Sequence, residues 1–406
     1  MSVHQIYTKQ VISRLFKLDI LLNNRLKRYC IQKNTFMRIS SFNTFLKRDP
    51  VLVVATVLAF VSILLVPIQR AYLEYFDWKT IACLFCLMVV VAACSKMNLF
   101  VRVSAFILKF ANTPRQLSSA LVFLTFFFSM LITNDVALLT FVPLTIVLFT
   151  VSNTHKNILF TVVLQTVAAN VGSSLTVVGN PQNLFLYNYY DLNAFGLTMT
   201  MLPYVLLGAL SLLLLLLFVP NDHISPVLNK QDIIPLQKRL LIRYGLLFLI
   251  SLAAVFDFIP YPVALLVVLL FAEKSLLPNV DYTLLLTFLM LFIFVGNLGQ
   301  LSWVRGLLGA LQGHEFLVAL LLSQCISNVP AALFLSHFTN LSEPLLIGVN
   351  VGGCGTLIAS MASVISFKLF IQYDARQSAR YFLCFSVISF SLLLLYVFEY
   401  WLLCKI

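Results

Sequence analysis

"ANVGSSLTVVGNPQNLF" at residues 169–185 and "VNVGGCGTLIASMASVI" at residues 349–365 align with each other without gaps. Both carry the pattern Asn-Val-Gly-x-x-x-Thr, and both place glycines and small polar residues inside an apolar run that otherwise suits a helix. A match of this kind between two parts of one chain indicates an internal repeat. We therefore predict a helix broken at this pattern in each half, over residues 157–190 and 344–370.

The composition of the chain indicates the class of protein that this repeat builds. Of 406 residues, 61% are hydrophobic and 10% are charged, and the mean hydropathy is +0.97. A soluble domain carries about 25% charged residues, so we predict an all-α polytopic membrane protein. Nine spans are predicted, at residues 51–68, 80–95, 157–190, 197–219, 240–259, 261–273, 283–299, 344–370 and 381–402.

A polar triplet in the middle of an apolar stretch precedes each broken helix. "LITNDVALLTF" at residues 131–141 is matched by "CISNVPAALFLS" at residues 325–336. The surrounding stretches, residues 117–150 and 314–340, are predicted to be hairpins that enter and leave the membrane on one side. An odd number of spans separates the corresponding parts, so we predict an inverted repeat of the kind found in transporters.

The basic residues predict the orientation. Ten of the 27 Lys and Arg lie in residues 1–49, which indicates a cytoplasmic N-terminal segment on anionic lipid and explains the net charge of +12 without nucleic acid. With both hairpins adding no net crossing, most basic loops stay inside and the C-terminus lies outside. We therefore predict a multi-pass protein of the cell (inner) membrane, with inverted repeats at residues 50–219 and 240–403 and a cytoplasmic linker at residues 220–239.

Breaks in membrane helices predict a polar cavity, because each unsatisfied backbone group costs several kcal/mol in hydrocarbon. Half-helix N-termini suit an anion, whereas the opposite helix ends and freed carbonyls suit Na⁺. A site of this kind binds an anion without a buried Arg or Lys, and neither break contains one. We expect the glycines at the breaks to permit the unwound backbone, since glycine adopts conformations that other residues avoid. These glycines are Gly172, Gly179, Gly352, Gly353 and Gly355.

Asp135 is the acidic member of the first polar triplet. A charged Asp at the centre of a membrane helix costs about 2.5 to 3.5 kcal/mol on insertion scales, which makes it a functional candidate. Its carboxylate could hold Na⁺ or carry a proton, and thereby couple transport to a cation. It could also cap the second arm of the hairpin by accepting backbone N–H groups. The coupling role is favoured, and the two roles are compatible.

"ITNDVALLTFVPLT", "NVGSSLTVVGNPQN", "SNVP" and "NVGGCGTLIAS" together resemble the ion transporter superfamily over roughly residues 50–403. This superfamily includes divalent-anion/sodium symporters, citrate permeases, arsenite-efflux permeases and a sodium/proton antiporter branch. The chain looks closest to uncharacterised permeases that are similar to the symporters and the citrate transporters. The resemblance implies a homodimer in which a transport part, containing both hairpins and both broken helices, moves as an elevator against a scaffold.

The resemblance also implies roles for individual residues. The substrate would contact Thr133, Asn134, Asn180, Ser327, Asn328 and Thr356. The coupling cation would be held by Asp135, Gly172, Ser173, Ser174, Thr176, Asn350, Gly352 and Gly353. The third residue of each hairpin tip departs from the Thr of the symporters, as Asp135 and Val329, which removes two contacts expected for a dicarboxylate. The Gly-x-Pro-Pro-Asn pattern of the family appears as Gly-Asn-Pro-Gln-Asn at residues 179–183.

These features predict a secondary active transporter of a small anion, with a carboxylate as one candidate, coupled to Na⁺ or H⁺. The alternative is an Na⁺/H⁺ antiporter or an arsenite-type metalloid efflux permease that uses Asp135, and a passive channel is a further one. We do not expect an enzyme, because the five His form no H-E-x-x-H motif or paired arrangement. The expected partners are the anion, the coupling cation, the lipid bilayer and a second copy of the chain. No cofactor or metal other than bound Na⁺ is expected.

Overall fold

The structure is a computed structural model that describes residues 50–67, 70–97, 99, 111–222, 238–309 and 313–403. The basic segment at residues 1–49 and most of the linker at residues 220–239 lie outside the described residues. So does most of residues 97–116, where alternating apolar and basic positions predict an interfacial helix. All regular secondary structure in the described residues is helical, which confirms the predicted all-α class.

The helices of the first half follow the predicted spans and hairpin closely. In chain order they are α1 (Pro50–Leu65), α2 (Trp78–Lys96), α3 (Pro114–Ser129), α4 (Asn134–Val151), α5 (Ile158–Ser173), α6 (Pro181–Tyr189) and α7 (Ala194–Leu216). Helices α3 and α4 form the first hairpin, and α5 and α6 are the two parts of the first broken helix. The hairpin begins at Thr113, whose side chain accepts the Gln116 N–H, followed by Pro114 at the first helical position.

The second half repeats the order of hairpin and broken helix after four further helices. Its helices are α8 (Lys238–Val255), α9 (Tyr261–Phe271), α10 (Tyr282–Leu298), α11 (Ser302–Gly309), α12 (Glu315–Ile326), α13 (Asn328–Ser336), α14 (Ser342–Gly352), α15 (Met361–Tyr373) and α16 (Ser378–Leu403). Helices α12 and α13 form the second hairpin, and α14 and α15 are the second broken helix. Helix α11 was not predicted, because its eight residues are fewer than the 11 to 18 over which helical periodicity is recognised.

Three stretches of the described residues are long and apolar enough to cross a membrane alone: Trp78–Lys96, Ala194–Leu216 and Ala375–Leu403. Helix α9, with 11 residues, is only about 16 Å long, whereas the hydrocarbon is about 30 Å thick. Ion pairs show that the segment around α9 is longer than the helix itself, since Lys79 and Lys96 at the two ends of α2 pair with Asp257 and Glu273 on either side of α9. The segment from 257 to 273 therefore runs the whole length of α2.

Helices α1, α2 and α8 to α10 pack together as one group. Helix α1 lies along α10, and α2 contacts α8 and α9. Asn297 on α10 is buried and donates from Nδ2 to Ser62 Oγ at 3.0 Å and to Tyr72 OH at 2.8 Å, which ties α1 to α10. This group meets the hairpins and broken helices where α10 contacts α13 and where α2 contacts α6.

The hairpins and broken helices form the second group. In each half the hairpin packs on the first part of its own broken helix, α3 and α4 on α5, and α12 and α13 on α14. The second arm of each hairpin also packs on the half-helix of the other repeat, α4 on α15 and α13 on α6. Reciprocal contacts of this kind are expected when two halves are related by an approximate two-fold axis. The exact limits of the two repeats as domains stay a prediction.

Candidate functional site

The hairpin tips hold the first set of predicted site residues. In the first tip, Thr133 is the N-cap of α4, and Asn134 is buried with its backbone N–H donating to Gly179 O at 3.1 Å. In the second tip, Ser327 is fully buried, and its hydroxyl lies 3.4 Å from Ala359 O. Because Gly179 and Ala359 correspond in the repeat, each tip contacts the loop of its own broken helix at the same place.

Ser327 has an unusual backbone, with φ 76° and ψ 154°. This region is almost restricted to glycine and costs other residues about 1 to 3 kcal/mol. The corresponding Thr133 has an ordinary extended conformation, with φ −60° and ψ 148°. The second tip therefore holds strain that the first does not.

The loops of the broken helices form the opposite side of the site. Ser173 and Ser174 are buried, and their hydroxyls donate to the carbonyls of Asn170 and Val171 in the last turn of α5. Asn183 donates from Nδ2 to Ser174 O and Thr176 O, both at 3.0 Å, and thereby holds the first loop in shape. Backbone carbonyls and small hydroxyls thus dominate this part of the site.

Each loop is also hydrogen-bonded to the first arm of its own hairpin. Thr176 Oγ1 donates to Met130 O at 2.5 Å in the first half. In the second half, Thr356 Oγ1 donates to Gln324 O at 3.1 Å, and Thr356 N donates to Gln324 Oε1 at 2.8 Å. The predicted residues Thr176 and Thr356 therefore occupy equivalent positions, and both fix a loop to a hairpin.

Asn170 connects the two halves at the centre of the site. Its Oδ1 accepts from Asn134 Nδ2 at 3.3 Å and from Ser360 Oγ at 2.9 Å. Its Nδ2 donates to Ser363 Oγ at 2.9 Å and to Gly353 O at 3.3 Å. One buried amide therefore contacts the first hairpin tip, the second loop and the start of α15.

Asn350 occupies the corresponding place in the second half. Its Oδ1 accepts from Asn180 Nδ2 at 3.0 Å and from Gln182 Nε2 at 3.4 Å. Its Nδ2 donates to Asn183 Oδ1 at 2.7 Å and to Leu346 O at 2.9 Å. Asn350 is buried like Asn170, and it contacts the start of α6, the half-helix of the first repeat.

The two hairpin tips are joined by a continuous chain of contacts. Asn134 bonds to Asn170, and Asn170 bonds to the carbonyl of Gly353. A Cβ on Gly353 would lie 2.8 Å from Asn328 Nδ2, so the second tip packs directly on this glycine. The structure thus brings the two predicted tips and both predicted loops into one buried polar cluster.

The role expected for the break glycines is wrong. Among the described residues, only Gly313 is a glycine with positive φ, so the breaks do not use the special conformations of glycine. The requirement is space, because a Cβ on Gly172 would lie 2.2 Å from Phe126 O and one on Gly179 would lie 2.2 Å from Ser173 O. In the second half, a Cβ on Gly352 would lie 2.8 Å from Ser323 Cβ. Gly172 and Gly352 therefore let each broken helix approach the first arm of its hairpin, and Gly179 lets the first loop pass close to the end of α5.

Asp135 lies in the first turn of α4, next to the cluster, and is half-buried. Its backbone N–H donates to Asn134 Oδ1 at 3.0 Å. The N-cap position itself belongs to Thr133, which makes no side-chain cap bond. A carboxylate in the first turn is favoured by the helix dipole, so this placement is compatible with both roles considered for Asp135.

A cluster of hydroxyls lies one turn away from Asn170 along α5. Thr166 Oγ1 lies 2.6 Å from Ser366 Oγ on α15 and 3.0 Å from Tyr381 OH on α16. Ser366 Oγ and Tyr381 OH are 3.2 Å apart, and all three residues are fully buried. Helices α5, α15 and α16 are therefore hydrogen-bonded together beneath the site.

Several residues of the cluster were not among the predicted site residues. Asn170 makes the most hydrogen bonds of these residues. Its alignment with the predicted residue Asn350 was a signal that could have identified it. The same alignment could have identified its partners at the start of α15, because they correspond to Asn180 and Asn183 at the start of α6. These residues are Asn170, Gln324, Ser360 and Ser363.

Comparison with known proteins agrees with this architecture. The family model described as "Citrate transporter" matches residues 42–340. The chain is 37% identical over 298 residues to "Uncharacterized transporter MJ0456" of Methanocaldococcus jannaschii, covering 72% of this chain and 81% of that protein. It is 34% identical to "Inner membrane protein YbiR" of Escherichia coli, covering 72% and 80%. It is also 26% identical to a "46 kDa membrane protein" of Mycobacterium leprae, covering 72% and 78%.

The matched region of the family model includes both hairpins and the whole first broken helix, which contribute most of the polar cluster. The all-helical fold, the apolar helices and the similarity to transporters point to the same class of protein. The chain therefore belongs to the citrate transporter family and is a multi-pass membrane transporter, not an enzyme.

Proposed function

We propose that this transporter is a secondary active carrier of a small anion, a carboxylate being the first candidate, coupled to Na⁺ or H⁺. The observation that supports this most is the buried cluster formed by two hairpin tips and two helix breaks around Asn170. Polar groups from both repeats meet there, as expected where an inverted-repeat carrier holds its substrate. The citrate transporter family provides the reason to place a carboxylate first.

The charges of the cluster favour cotransport of a cation with the anion. The two breaks and the hairpin tips contain no Lys or Arg, so no fixed cation neutralises a bound anion. Partial positive charge comes from the N-termini of α6 and α15, which point into the breaks. Asp135 adds a carboxylate within the first tip. An anion and this carboxylate repel each other unless Na⁺ or a proton is bound with them, which is the physical basis of coupling.

The movement that we propose is that of an elevator. The structure separates one group of helices, α1, α2 and α8 to α10, from the hairpins and broken helices. Hydrogen bonds within the second group join both repeats, so this group is suited to move as a unit. We propose that the first group is the scaffold and that it forms the homodimer.

The experiment is uptake of labelled citrate by proteoliposomes, measured with an inward Na⁺ gradient, an inward proton gradient or neither. We expect accumulation that requires one of the two gradients, and we expect Asp135→Asn to abolish or strongly reduce the gradient dependence. Glu343→Gln is the matched control, because Glu343 is a carboxylate near the start of α14, away from the breaks. Uptake that only equilibrates citrate would show that transport is passive, as in a channel, and would contradict the proposal.

The second candidate is a cation antiporter or metalloid efflux permease, which is favoured by one observation. Asp135 replaces the Thr of the symporters and places a carboxylate in the first hairpin tip. In the same proteoliposomes, Na⁺-driven pH changes without citrate that disappear in Asp135→Asn would support the antiporter. Coupled transport that is unchanged by Asp135→Asn would exclude Asp135 from coupling in either function.

A further inference from the structure

We propose that Asn170 and Asn350 are positioning residues, each of which holds the half-helix N-terminus of the opposite repeat. The inference rests on the proposed function, in which the N-termini of α6 and α15 contribute to anion binding. In this role neither amide needs to contact the substrate. Each one acts by fixing where the substrate-facing helix begins.

Asn170 contacts two defined positions of α15. Ser360 is the N-cap of that helix, and its hydroxyl donates to Asn170 Oδ1 at 2.9 Å. Ser363 is the third helical residue, and its hydroxyl accepts from Asn170 Nδ2 at 2.9 Å. The acceptor and the donor of one amide are therefore both used on the first turn of α15.

Asn350 contacts the same two positions of α6. Asn180 is the N-cap of that helix, and its Nδ2 donates to Asn350 Oδ1 at 3.0 Å. Asn183 is the third helical residue, and its Oδ1 accepts from Asn350 Nδ2 at 2.7 Å. In both halves the amide oxygen of the asparagine contacts the N-cap residue and its amide nitrogen contacts the third helical residue, although the partner side chains differ. This agreement between independent sets of side chains argues against chance packing.

The N-termini of α15 and α6 differ in the further hydrogen bonds that stabilise them. The side chain of Asn180 also accepts the Asn183 N–H and so caps its own helix, whereas the side chain of Ser360 makes no cap bond. The position of the α15 N-terminus thus depends more on Asn170 than that of α6 depends on Asn350. Because all these side chains are buried, water cannot easily replace a lost partner. We therefore expect Asn170→Ala to have the larger effect.

The first test is a double-mutant cycle on the thermal unfolding of the full chain in detergent. If Ser360 acts through Asn170, the midpoint of Asn170→Ala/Ser360→Ala should be no lower than that of the more damaging single variant. The matched control is Ser336→Ala, since Ser336 is also buried but donates to Leu333 O within its own helix. In the double variant Asn170→Ala/Ser336→Ala, the two changes in unfolding midpoint should add. Additive shifts in the Asn170/Ser360 pair would overturn the inference.

The second test separates positioning from a general structural role, using citrate uptake normalised to folded protein. We expect Asn170→Ala and Ser360→Ala to raise the KM for citrate by about tenfold, as for the loss of one good hydrogen bond, with little change in maximal rate. Ser360→Thr keeps the hydroxyl and should restore the KM. A lower maximal rate at unchanged KM would overturn the inference. If the unaltered protein takes up no citrate, the proposal of citrate as substrate fails. The double-mutant cycle then still tests the positioning role of Asn170, because it does not depend on transport.

Discussion

Replacing Gly172 with alanine is expected to destabilise the protein, whereas the same change at Gly245 is expected to stabilise it. Both glycines lie in helices, Gly172 near the end of α5 and Gly245 within α8. A Cβ on Gly172 would lie 2.2 Å from Phe126 O and 2.6 Å from Ser129 Oγ, whereas one on Gly245 would meet nothing within 4 Å. The two substitutions therefore share their chemistry and differ in the space available.

The magnitudes follow from two opposing effects. Alanine is favoured over glycine in a helix interior by about 1 kcal/mol, which is the whole expected gain at Gly245. Overpacking costs about 1 to 3 kcal/mol. At Gly172 the cost should lie at the upper end of this range, because the backbone carbonyl of Phe126 cannot rotate away as a side chain can. After the gain in helix propensity is subtracted, the net loss of stability is about 2 kcal/mol. Gly352→Ala is intermediate, because its Cβ would lie 2.8 Å from a serine side chain, that of Ser323.

Thermal unfolding in detergent, followed with a thiol-reactive fluorophore, measures this order. The thiols of Cys83, Cys86 and Cys354 are free and buried, so they become reactive as the protein unfolds. Apparent midpoints at one scan rate should decrease in the order Gly245→Ala, unaltered protein, Gly352→Ala, Gly172→Ala. A Gly172→Ala variant as stable as Gly245→Ala would refute close packing as the reason for this glycine.

Three further predictions concern the second tip, a surface ion pair and the hydroxyl cluster. Ser327→Gly should raise the unfolding midpoint by relieving backbone strain, for a gain of about 1 kcal/mol, and should lower citrate uptake; a lower midpoint would contradict this. The hydrogen bond from Lys96 lowers the pKa of Glu273, so its contribution to stability is present above the ordinary carboxyl pKa of 4.5 and is lost as the pH falls through the lowered value. Midpoints of Glu273→Gln should accordingly fall less than those of the unaltered protein between about pH 6 and about pH 3. Thr166→Val and Tyr381→Phe should each cost about 1 to 2 kcal/mol and be less than additive in the double variant; fully additive midpoint shifts would mean that the two hydroxyls do not interact.

Much of the fold could be predicted because the signals are local. The lengths of the apolar runs predicted the spans, and the polar residues within them predicted where helices stop. Observed hairpins at Pro114–Val151 and Glu315–Ser336 follow predictions of 117–150 and 314–340. Helix α11 was not predicted because its eight residues are fewer than the 11 to 18 over which helical periodicity is recognised.

The site was predicted in part, and the reason lies in the kind of information that each residue requires. Thr133, Asn134, Ser327 and Asn328 were predicted from motifs, and the structure brings their two tips together through Asn170. The pairing of Asn170 with Ser360 could not be predicted, because it depends on how helices distant in the chain pack.

By itself, then, the sequence determined the membrane class, the two related halves and the positions of the breaks, because hydrophobic length and helix-breaking residues act over one or two turns. Tertiary structure alone decided which amide meets which helix start, and why Gly172 must be glycine. Those outcomes depend on distances of 2 to 3 Å between helices that are far apart in the chain, as between Asn350 Nδ2 and Asn183 Oδ1 at 2.7 Å, and no local pattern specifies such distances.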